Sequence, residues 1–191
     1  MAEVLLFHHA HGLTPGVIDF AEELRGAGHV VHTPDLYEGR TFEDLGEGVA
    51  HAAGIGFGEI TARGVRTADS LRPDLVYAGF SLGVLAAQKL AQTRAGARGA
   101  LLFHACLPPT EFASSWPAAV PVQIHAMDAD PMFVDEGDLE AAQALVSSCD
   151  QAELFLYRGE QHLFADPSLP AYQEAAATLL RQRVLAFLDA V

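Results

Sequence analysis

The sequence has few cysteines, few positive charges and no long apolar run. Its two cysteines, Cys106 and Cys149, cannot form a disulfide framework, and we expect both to be reduced, partly buried and inert. Lys and Arg number 11 against 25 Asp and Glu, which gives a formal net charge of −14. Because nucleic acids and anionic membrane surfaces are themselves negative, this charge disfavours both as partners. It also makes a strongly anionic substrate unfavourable.

No apolar stretch reaches the length of a membrane span, and the first residues lack the basic segment of a signal peptide. These absences favour a cytoplasmic protein. The sequence is rich in apolar residues, with 50% hydrophobic and 19% charged positions, which argues against disorder. That balance suits one well-cored domain over residues 1–191, without a linker, repeat or low-complexity segment.

Short apolar runs alternate with helical patterns along the whole chain. Six runs are predicted to be strands, at residues 4–7, 28–33, 75–78, 99–104, 120–126 and 152–157. Helices are predicted between them, at residues 15–25, from a cap at Thr41, at 59–71, at 82–92, from a cap at Asp135 and from residue 171 onward. Such alternation is typical of an α/β fold with a mainly parallel sheet of about six strands and helices on both faces.

The segment Gly79-Phe80-Ser81-Leu82-Gly83 follows one predicted strand and opens the helix after it. A serine between two glycines at a strand-to-helix turn is the form of a nucleophile elbow, in which close backbone packing leaves no room for a Cβ at the glycines. Ser81 would be held in a strained conformation with its hydroxyl above the sheet, and the N–H of Leu82 would point at a developing oxyanion. The pattern is weak by itself, because a serine that caps a helix in a nucleotide-binding fold looks the same.

Two further groups follow later strands at the same edge of the sheet. Asp130 comes after the fifth predicted strand, and His162 comes after the sixth. Functional groups gather at the carboxyl ends of parallel strands, and the order Ser, Asp, His is that of an α/β-hydrolase. An imidazole can take the proton of a serine hydroxyl, and a carboxylate fixes its tautomer. Asp128 is the alternative acid, while Asp130 could be a turn or cap residue and His162 a surface loop residue.

Three segments resemble the signature segments of the dienelactone hydrolase family, namely residues 79–83, 125–130 and 157–164, and residues 34–37 are also typical of it. The resemblance covers nearly the whole chain and implies a capless α/β-hydrolase with a compact active site. In that family the triad acid ends a His-x-x-x-x-Asp segment, which matches Asp130. The catalytic histidine stands before a small or apolar residue and a phenylalanine, which matches His162.

The resemblance also implies roles near the first strand. It places the following turn at the oxyanion hole, where an N–H near His9 or Ala10 would join that of Leu82. His9 stands about where the family has a glutamate that interacts with the resting nucleophile. The founding enzymes differ in two ways: they have a cysteine in place of Ser81, and an arginine near the position of Ala165-Asp166. Both departures favour serine esterase chemistry over dienelactone itself.

Other aromatic and histidine residues have competing interpretations. The possible substrate-pocket residues are His11, Phe112, Trp116 and Phe164, although surface packing explains Phe112 and Trp116 equally well. His104 and His125 lie in apolar strands and are expected to be satisfied core residues. His9 and His11 could offer two imidazoles to a zinc ion, but the sequence shows no obvious third ligand.

The sequence therefore predicts a serine hydrolase that acts on small carboxylic esters or lactones through Ser81, Asp130 and His162 and an acyl-enzyme. The expected partner is that small-molecule substrate, with no nucleic acid and no membrane, and a homodimer is possible. No cofactor and no metal are expected. Two alternatives stay open: an inactive binding or regulatory protein on a hydrolase scaffold, and a metal-dependent hydrolase that uses His9 and His11.

Overall fold

The computed structural model describes all 191 residues and contains one sheet of six strands. The strands are β1 (Glu3–Phe7), β2 (Val30–His32), β3 (Val76–Phe80), β4 (Gly99–Phe103), β5 (Val122–Met127) and β6 (Ala152–Tyr157). Their spatial order is β2-β1-β3-β4-β5-β6, and every neighbouring pair is parallel. The predicted α/β class and parallel six-stranded sheet are confirmed.

Seven helices connect the strands and cover the sheet. They are α1 (Pro15–Gly26), α2 (Leu45–Ile55), α3 (Phe57–Ala68), α4 (Val84–Thr93), α5 (Pro131–Val134), α6 (Asp138–Ser148) and α7 (Glu174–Ala190). One-turn 3₁₀ helices lie at Ser81–Gly83 and Pro109–Glu111. No helix combines the length and apolarity needed to cross a membrane.

Several predicted helix starts are wrong by a few residues. Asp44, not Thr41, caps α2 through a side-chain hydrogen bond. Gly137, not Asp135, is the N-cap of α6, and the sequence prediction missed the short helix α5, which Asp130 caps. α7 also starts slightly later than predicted. Loops of this kind contain several side chains that can cap a helix, and the tertiary path of the chain decides which one does so.

The sheet separates two apolar layers, because its central strands are buried on both faces. Leu5 and Phe7 of β1 pack with residues of α3, α4 and α6 on one face, and Val4 and Leu6 pack with residues of α1 and α7 on the other. Strands that are buried on both faces consist of continuous apolar residues rather than alternating ones. This explains why the strands are visible in the sequence as short apolar runs.

The strand order reverses at β1, which lies between β2 and β3. In doubly wound sheets such a switch point opens a crevice at the carboxyl ends of the strands, where ligands bind. The segment after β1 is residues 8–12, which we call the histidine turn, and the segment after β3 begins with Ser81. The fold therefore brings these two segments side by side at the functional edge of the sheet.

Candidate active site

Ser81 lies at the sharp turn between β3 and α4, with its backbone in the left-handed region at a φ of 47°. A Cβ on Gly79 would lie 2.4 Å from the backbone of Gly83, and a Cβ on Gly83 would lie 2.6 Å from the carbonyl oxygen of Phe7. A larger residue at either position would force the turn away from its neighbours. Leu82 follows directly in the one-turn helix Ser81–Gly83. The backbone geometry expected of a nucleophile elbow is present.

Ser81, His162 and Asp130 lie in one hydrogen-bonded line. The Oγ of Ser81 is 2.9 Å from Nε2 of His162, and Nδ1 of His162 is 2.6 Å from Oδ2 of Asp130. The Asp130 side chain is fully buried, whereas that of His162 keeps 10% of its surface exposed. Because an ionised carboxylate only accepts, Nδ1 of His162 donates to it, and Nε2 is left to accept from the serine hydroxyl. This arrangement can take a proton from Ser81.

The structure places Asp130 rather than Asp128 beside His162. The second oxygen of Asp130 accepts a hydrogen bond from the N–H of Met132 at 3.0 Å, which caps α5 and fixes the carboxylate. Asp128 is exposed, and its Oδ1 accepts from the N–H of Gly159 at 3.0 Å. Asp128 therefore braces the loop that leads to His162 without contacting the imidazole.

The histidine turn packs directly against the elbow, since a Cβ on Gly83 would lie 2.8 Å from the carbonyl oxygen of His8. Within this turn Ala10 is buried, and its N–H donates no hydrogen bond inside the chain. Helix α2 supports the turn from behind, because a Cβ on Gly48 would lie 2.1 Å from the carbonyl oxygen of Ala10. A backbone N–H that has no partner inside the chain is free to donate to an anionic oxygen.

His8 joins the histidine turn to the loop after β2. Its Nδ1–H donates to the carbonyl oxygen of His9 at 2.8 Å, and its Nε2 accepts from the N–H of Leu36 at 3.0 Å. Burial is the main reason that the pKa of His8 is lowered to about 4; the hydrogen bond to the His9 carbonyl and the charge of Asp35 oppose this shift, and the nearby His9 imidazole adds to it. His8 is therefore neutral at pH 7 and acts as a brace between two loops.

His9 makes a contact that the sequence did not predict. Its Nε2 lies 2.8 Å from Oδ2 of Asp166, and its Nδ1 accepts from the N–H of His11 at 3.3 Å. The expected interaction of His9 with the resting nucleophile is therefore wrong, since both ring nitrogens have other partners. No group of three or more His, Cys, Asp or Glu side chains is arranged to hold a metal ion. The alternative of a metal site at His9 and His11 has no geometric support.

A family model for dienelactone hydrolases matches residues 1–191. The chain belongs to the dienelactone hydrolase family. As a member of that family, the protein is a hydrolase. None of the curated protein sequences matches the chain significantly.

Solved structures share the fold of this dienelactone hydrolase family member at low sequence identity. A candidate dienelactone hydrolase from Klebsiella pneumoniae superposes with a TM-score of 0.81 at 17% identity, over 100% of this chain and 88% of that one. A dienelactone hydrolase-like promiscuous phosphotriesterase from metagenomic libraries gives 0.78 at 18% identity, over 100% and 86%. The propionate-bound esterase Est2 from Thermogutta terrifontis gives 0.69 at 16% identity, over 99% and 83%. At these identities the likeness shows a common fold.

The residues expected to line a substrate pocket in this family member are mostly buried. Phe164 has no exposed surface and packs in the core, so it cannot contact a substrate. Trp116 is also a core residue, and its indole N–H donates to the carbonyl oxygen of Val120 at 2.7 Å. These two expectations are wrong, because an aromatic residue near a motif carries no information about which way it faces. His11 is buried, with Nδ1 2.8 Å from the carbonyl oxygen of Phe42.

Phe112 is the pocket candidate with the most accessible ring. It is half-buried in the loop after β4, and the Nζ of Lys89 lies 6.0 Å from its ring centroid.

Both cysteines are buried, and burial raises the pKa of the Cys106 thiol to about 12. Cys106 is therefore protonated at neutral pH and a poor nucleophile, as expected for an inert residue.

Two buried histidines behave differently, although both were expected to be satisfied in the core. His125 meets that expectation, with Nδ1 2.8 Å from the hydroxyl of Tyr157 and Nε2 3.3 Å from Gln123. His104 does not, because neither ring nitrogen has a partner. Its ring lies 5.9 Å from that of Phe80 and 5.7 Å from that of His162. Burial holds the pKa of His104 well below its usual range, so its ring is neutral and packs beside His162.

Proposed function

We propose that the protein is a serine hydrolase that cleaves small carboxylic esters or lactones in the cytoplasm through an acyl-enzyme. The observation that carries the proposal is the line of hydrogen bonds that joins Ser81, His162 and Asp130, at 2.9 and 2.6 Å. A hydroxyl, an imidazole and a buried carboxylate in this order form the group that activates serine in unrelated hydrolases. The family of the chain supports the same class of reaction.

In the proposed reaction, Ser81 Oγ attacks the carbonyl carbon of the substrate while Nε2 of His162 takes its proton. Asp130 stabilises the imidazolium ion that forms. The tetrahedral oxyanion accepts hydrogen bonds from the N–H groups of Leu82 and Ala10. His162 then protonates the leaving alkoxide, which stays attached to the acyl chain when the substrate is a lactone. Finally, His162 takes a proton from a water molecule as its oxygen attacks the acyl carbon, the bond between that carbon and Ser81 Oγ breaks, and His162 returns the proton to Oγ, which releases the acid and restores Ser81.

An uncharged substrate fits the charges of the protein best. The formal net charge is −14, and Asp166 stands near the position at which the founding enzymes of the family carry an arginine for a substrate carboxylate. Asp166 is buried and bound to internal donors, so it offers a carboxylate-bearing substrate no attraction. We therefore propose esters with short, neutral acyl groups as the first substrates to test.

Hydrolysis of p-nitrophenyl acetate and butyrate tests the proposal. We expect the wild-type protein to release nitrophenol and Ser81→Ala to reduce kcat about 10⁴-fold or more, because the nucleophile is gone. A fluorophosphonate probe should add one covalent label to the wild-type protein, at Ser81, and none to the variant. Full activity in Ser81→Ala would exclude Ser81 as nucleophile.

The same experiment separates the two alternative functions. A wild-type protein that neither hydrolyses the esters nor takes up the probe would be the inactive binding or regulatory protein of this scaffold. Activity that survives in Ser81→Ala but disappears with a chelator would indicate a metal-dependent hydrolase.

A further inference from the structure

The structure contains a second imidazole–carboxylate pair, formed by His9 and Asp166. We propose that Asp166 is a positioning residue that acts through His9 to hold the Ala10 N–H in place for the oxyanion. This inference rests on the proposed function, because it assigns a role within the same site. Neither His9 nor Asp166 hydrogen-bonds to Ser81, so neither is proposed as a catalytic residue.

The carboxylate of Asp166 has four internal hydrogen bonds. Oδ2 accepts from Nε2 of His9 at 2.8 Å and from the hydroxyl of Thr14 at 2.6 Å. Oδ1 accepts from the N–H of Ser168 at 2.7 Å and from its hydroxyl at 2.6 Å. A side chain that only accepts is an ionised carboxylate. Burial alone would raise the pKa of Asp166, but the hydrogen bonds from His9, Ser168 and Thr14 lower it to about 2.

These bonds fix the tautomer and the orientation of His9. Since Asp166 only accepts, Nε2 of His9 carries the proton, and Nδ1 is free to accept from the N–H of His11. The ring thus connects Asp166 to the backbone on the far side of Ala10. The peptide groups on both sides of Ala10 are held, while the N–H of Ala10 has no internal partner.

The residues around the carboxylate of Asp166 pack closely against it. A Cβ on Gly16 would lie 1.7 Å from Oδ1 of Asp166, so a side chain at this position would displace the carboxylate. Thr14, which binds Oδ2, is also the N-cap of α1. The backbone N–H of Asp166 donates to the carbonyl oxygen of Leu163 at 3.1 Å, next to His162. Asp166 therefore links the loop of the proposed base to the turn of the proposed oxyanion hole.

Asp166→Asn tests the inference, because it preserves shape but removes the charge and one acceptor. We expect kcat for p-nitrophenyl butyrate to fall about 10²-fold, which is the effect of losing one oxyanion donor, with little change in KM. The inhibition constant of a matched trifluoromethyl ketone, which forms a tetrahedral oxyanion on Ser81, should rise by a similar factor. A role in stability alone would move neither quantity in the folded variant.

Tyr157→Phe provides a matched control. It also removes one hydrogen bond from a buried histidine, His125, but at a place remote from the histidine turn. We expect it to lower the melting temperature without changing kcat or ketone binding. Equal losses of kcat in the two variants, or unchanged ketone binding in Asp166→Asn, would overturn the inference.

His9→Gln is the second variant if Asp166→Asn does not fold. It retains an amide donor for Asp166 but loses the ring acceptor for the N–H of His11, and the same losses are expected. Nitrogen NMR of the wild-type protein gives an independent readout, with His9 protonated at Nε2 and bare at Nδ1. The opposite tautomer would overturn the inference even in an active enzyme. An inactive wild-type protein with the expected tautomer would refute the proposed function, and the oxyanion role with it, and leave only a structural pair.

Discussion

Two imidazole–carboxylate pairs of similar length lie at the same edge of the sheet. In one, Asp130 holds His162 at 2.6 Å, and in the other Asp166 holds His9 at 2.8 Å. The difference lies in the partner of the second ring nitrogen. For His162 it is the hydroxyl of Ser81, and for His9 it is a backbone N–H. A hydroxyl can give up its proton and attack, whereas an amide keeps its proton, so the first pair is suited to proton transfer and the second to support.

Among the predicted changes, replacement of the triad acid Asp130 should lower activity most. Asp130→Asn removes the negative charge that stabilises the His162 imidazolium and allows the wrong tautomer, and we expect kcat to fall about 10⁴-fold. The corresponding change Asp166→Asn is expected to cost about 10²-fold. Ester hydrolysis at pH 7.5 measures both. Equal losses of kcat in the two variants would contradict the assignment of proton transfer to the pair with Asp130 and of positioning to the pair with Asp166.

The buried histidines should together make the free energy of unfolding depend on pH. Burial lowers the pKa of His8 to about 4 and that of His125 to about 3, and it also lowers the pKa values of His9 and His104. In the unfolded chain these groups take up protons near pH 6.5, whereas the folded protein does not. The free energy of unfolding should therefore fall as the pH drops from 7 towards 4, by up to about 1.4 kcal/mol per pH unit for each such histidine.

Urea denaturation at pH 7, 6 and 5 measures this slope. The carboxylate of Asp166 does not contribute to this slope. Because the pKa of Asp166 is lowered on folding, the stability that it contributes is lost only when the pH falls below its unfolded value, near pH 4. A free energy of unfolding that stays constant from pH 7 to pH 5 would contradict the neutral, buried state of these histidines.

The smallest expected effect concerns the unpaired imidazole. His104→Phe replaces a ring whose nitrogens have no partner, so we expect the free energy of unfolding at pH 7 to stay the same or rise by about 1 kcal/mol. His125→Phe is the matched control, and it should lose about 1–3 kcal/mol because the hydroxyl of Tyr157 loses its partner. Urea denaturation compares the two variants, and a similar loss in both would show that His104 has a polar partner in solution.

The sequence predicts the sheet well, because strands buried on both faces are short apolar runs with little ambiguity. It also brings Ser81, Asp130 and His162 together correctly, because each follows a strand and the carboxyl ends of parallel strands share one edge. The pairing of His9 with Asp166 could not be predicted in the same way. The two residues are 157 positions apart, and neither belongs to a motif that requires the other.

The orientation of single side chains was the least predictable feature. Phe164 ends the segment that contains His162, and Trp116 lies in the loop after β4, yet both pack in the core. His104 directly follows β4 and His125 lies within β5, and only the three-dimensional neighbours decide which one finds hydrogen bonds. Periodicity gives the face of a strand, but a residue in a loop or at a strand end has no such period.

The close approach of α2 to the histidine turn has a consequence for altering this enzyme. A Cβ on Gly48 would collide with the carbonyl oxygen of Ala10, which holds α2 against the turn. The N–H groups of Leu36 and Phe42 donate to His8 and His11, so the segment between β2 and α2 is also tied to the turn and tolerates little change in length. The loop between β4 and β5 is held at its two ends, where Gln92 donates to the carbonyl oxygens of Pro109 and Ser115, but at its tip Thr110, Glu111 and Ser114 are exposed and Phe112 is half-buried. Engineered substitutions are therefore better placed at exposed positions such as Thr110, Glu111 and Ser114 than between β2 and α2, where they would displace the histidine turn.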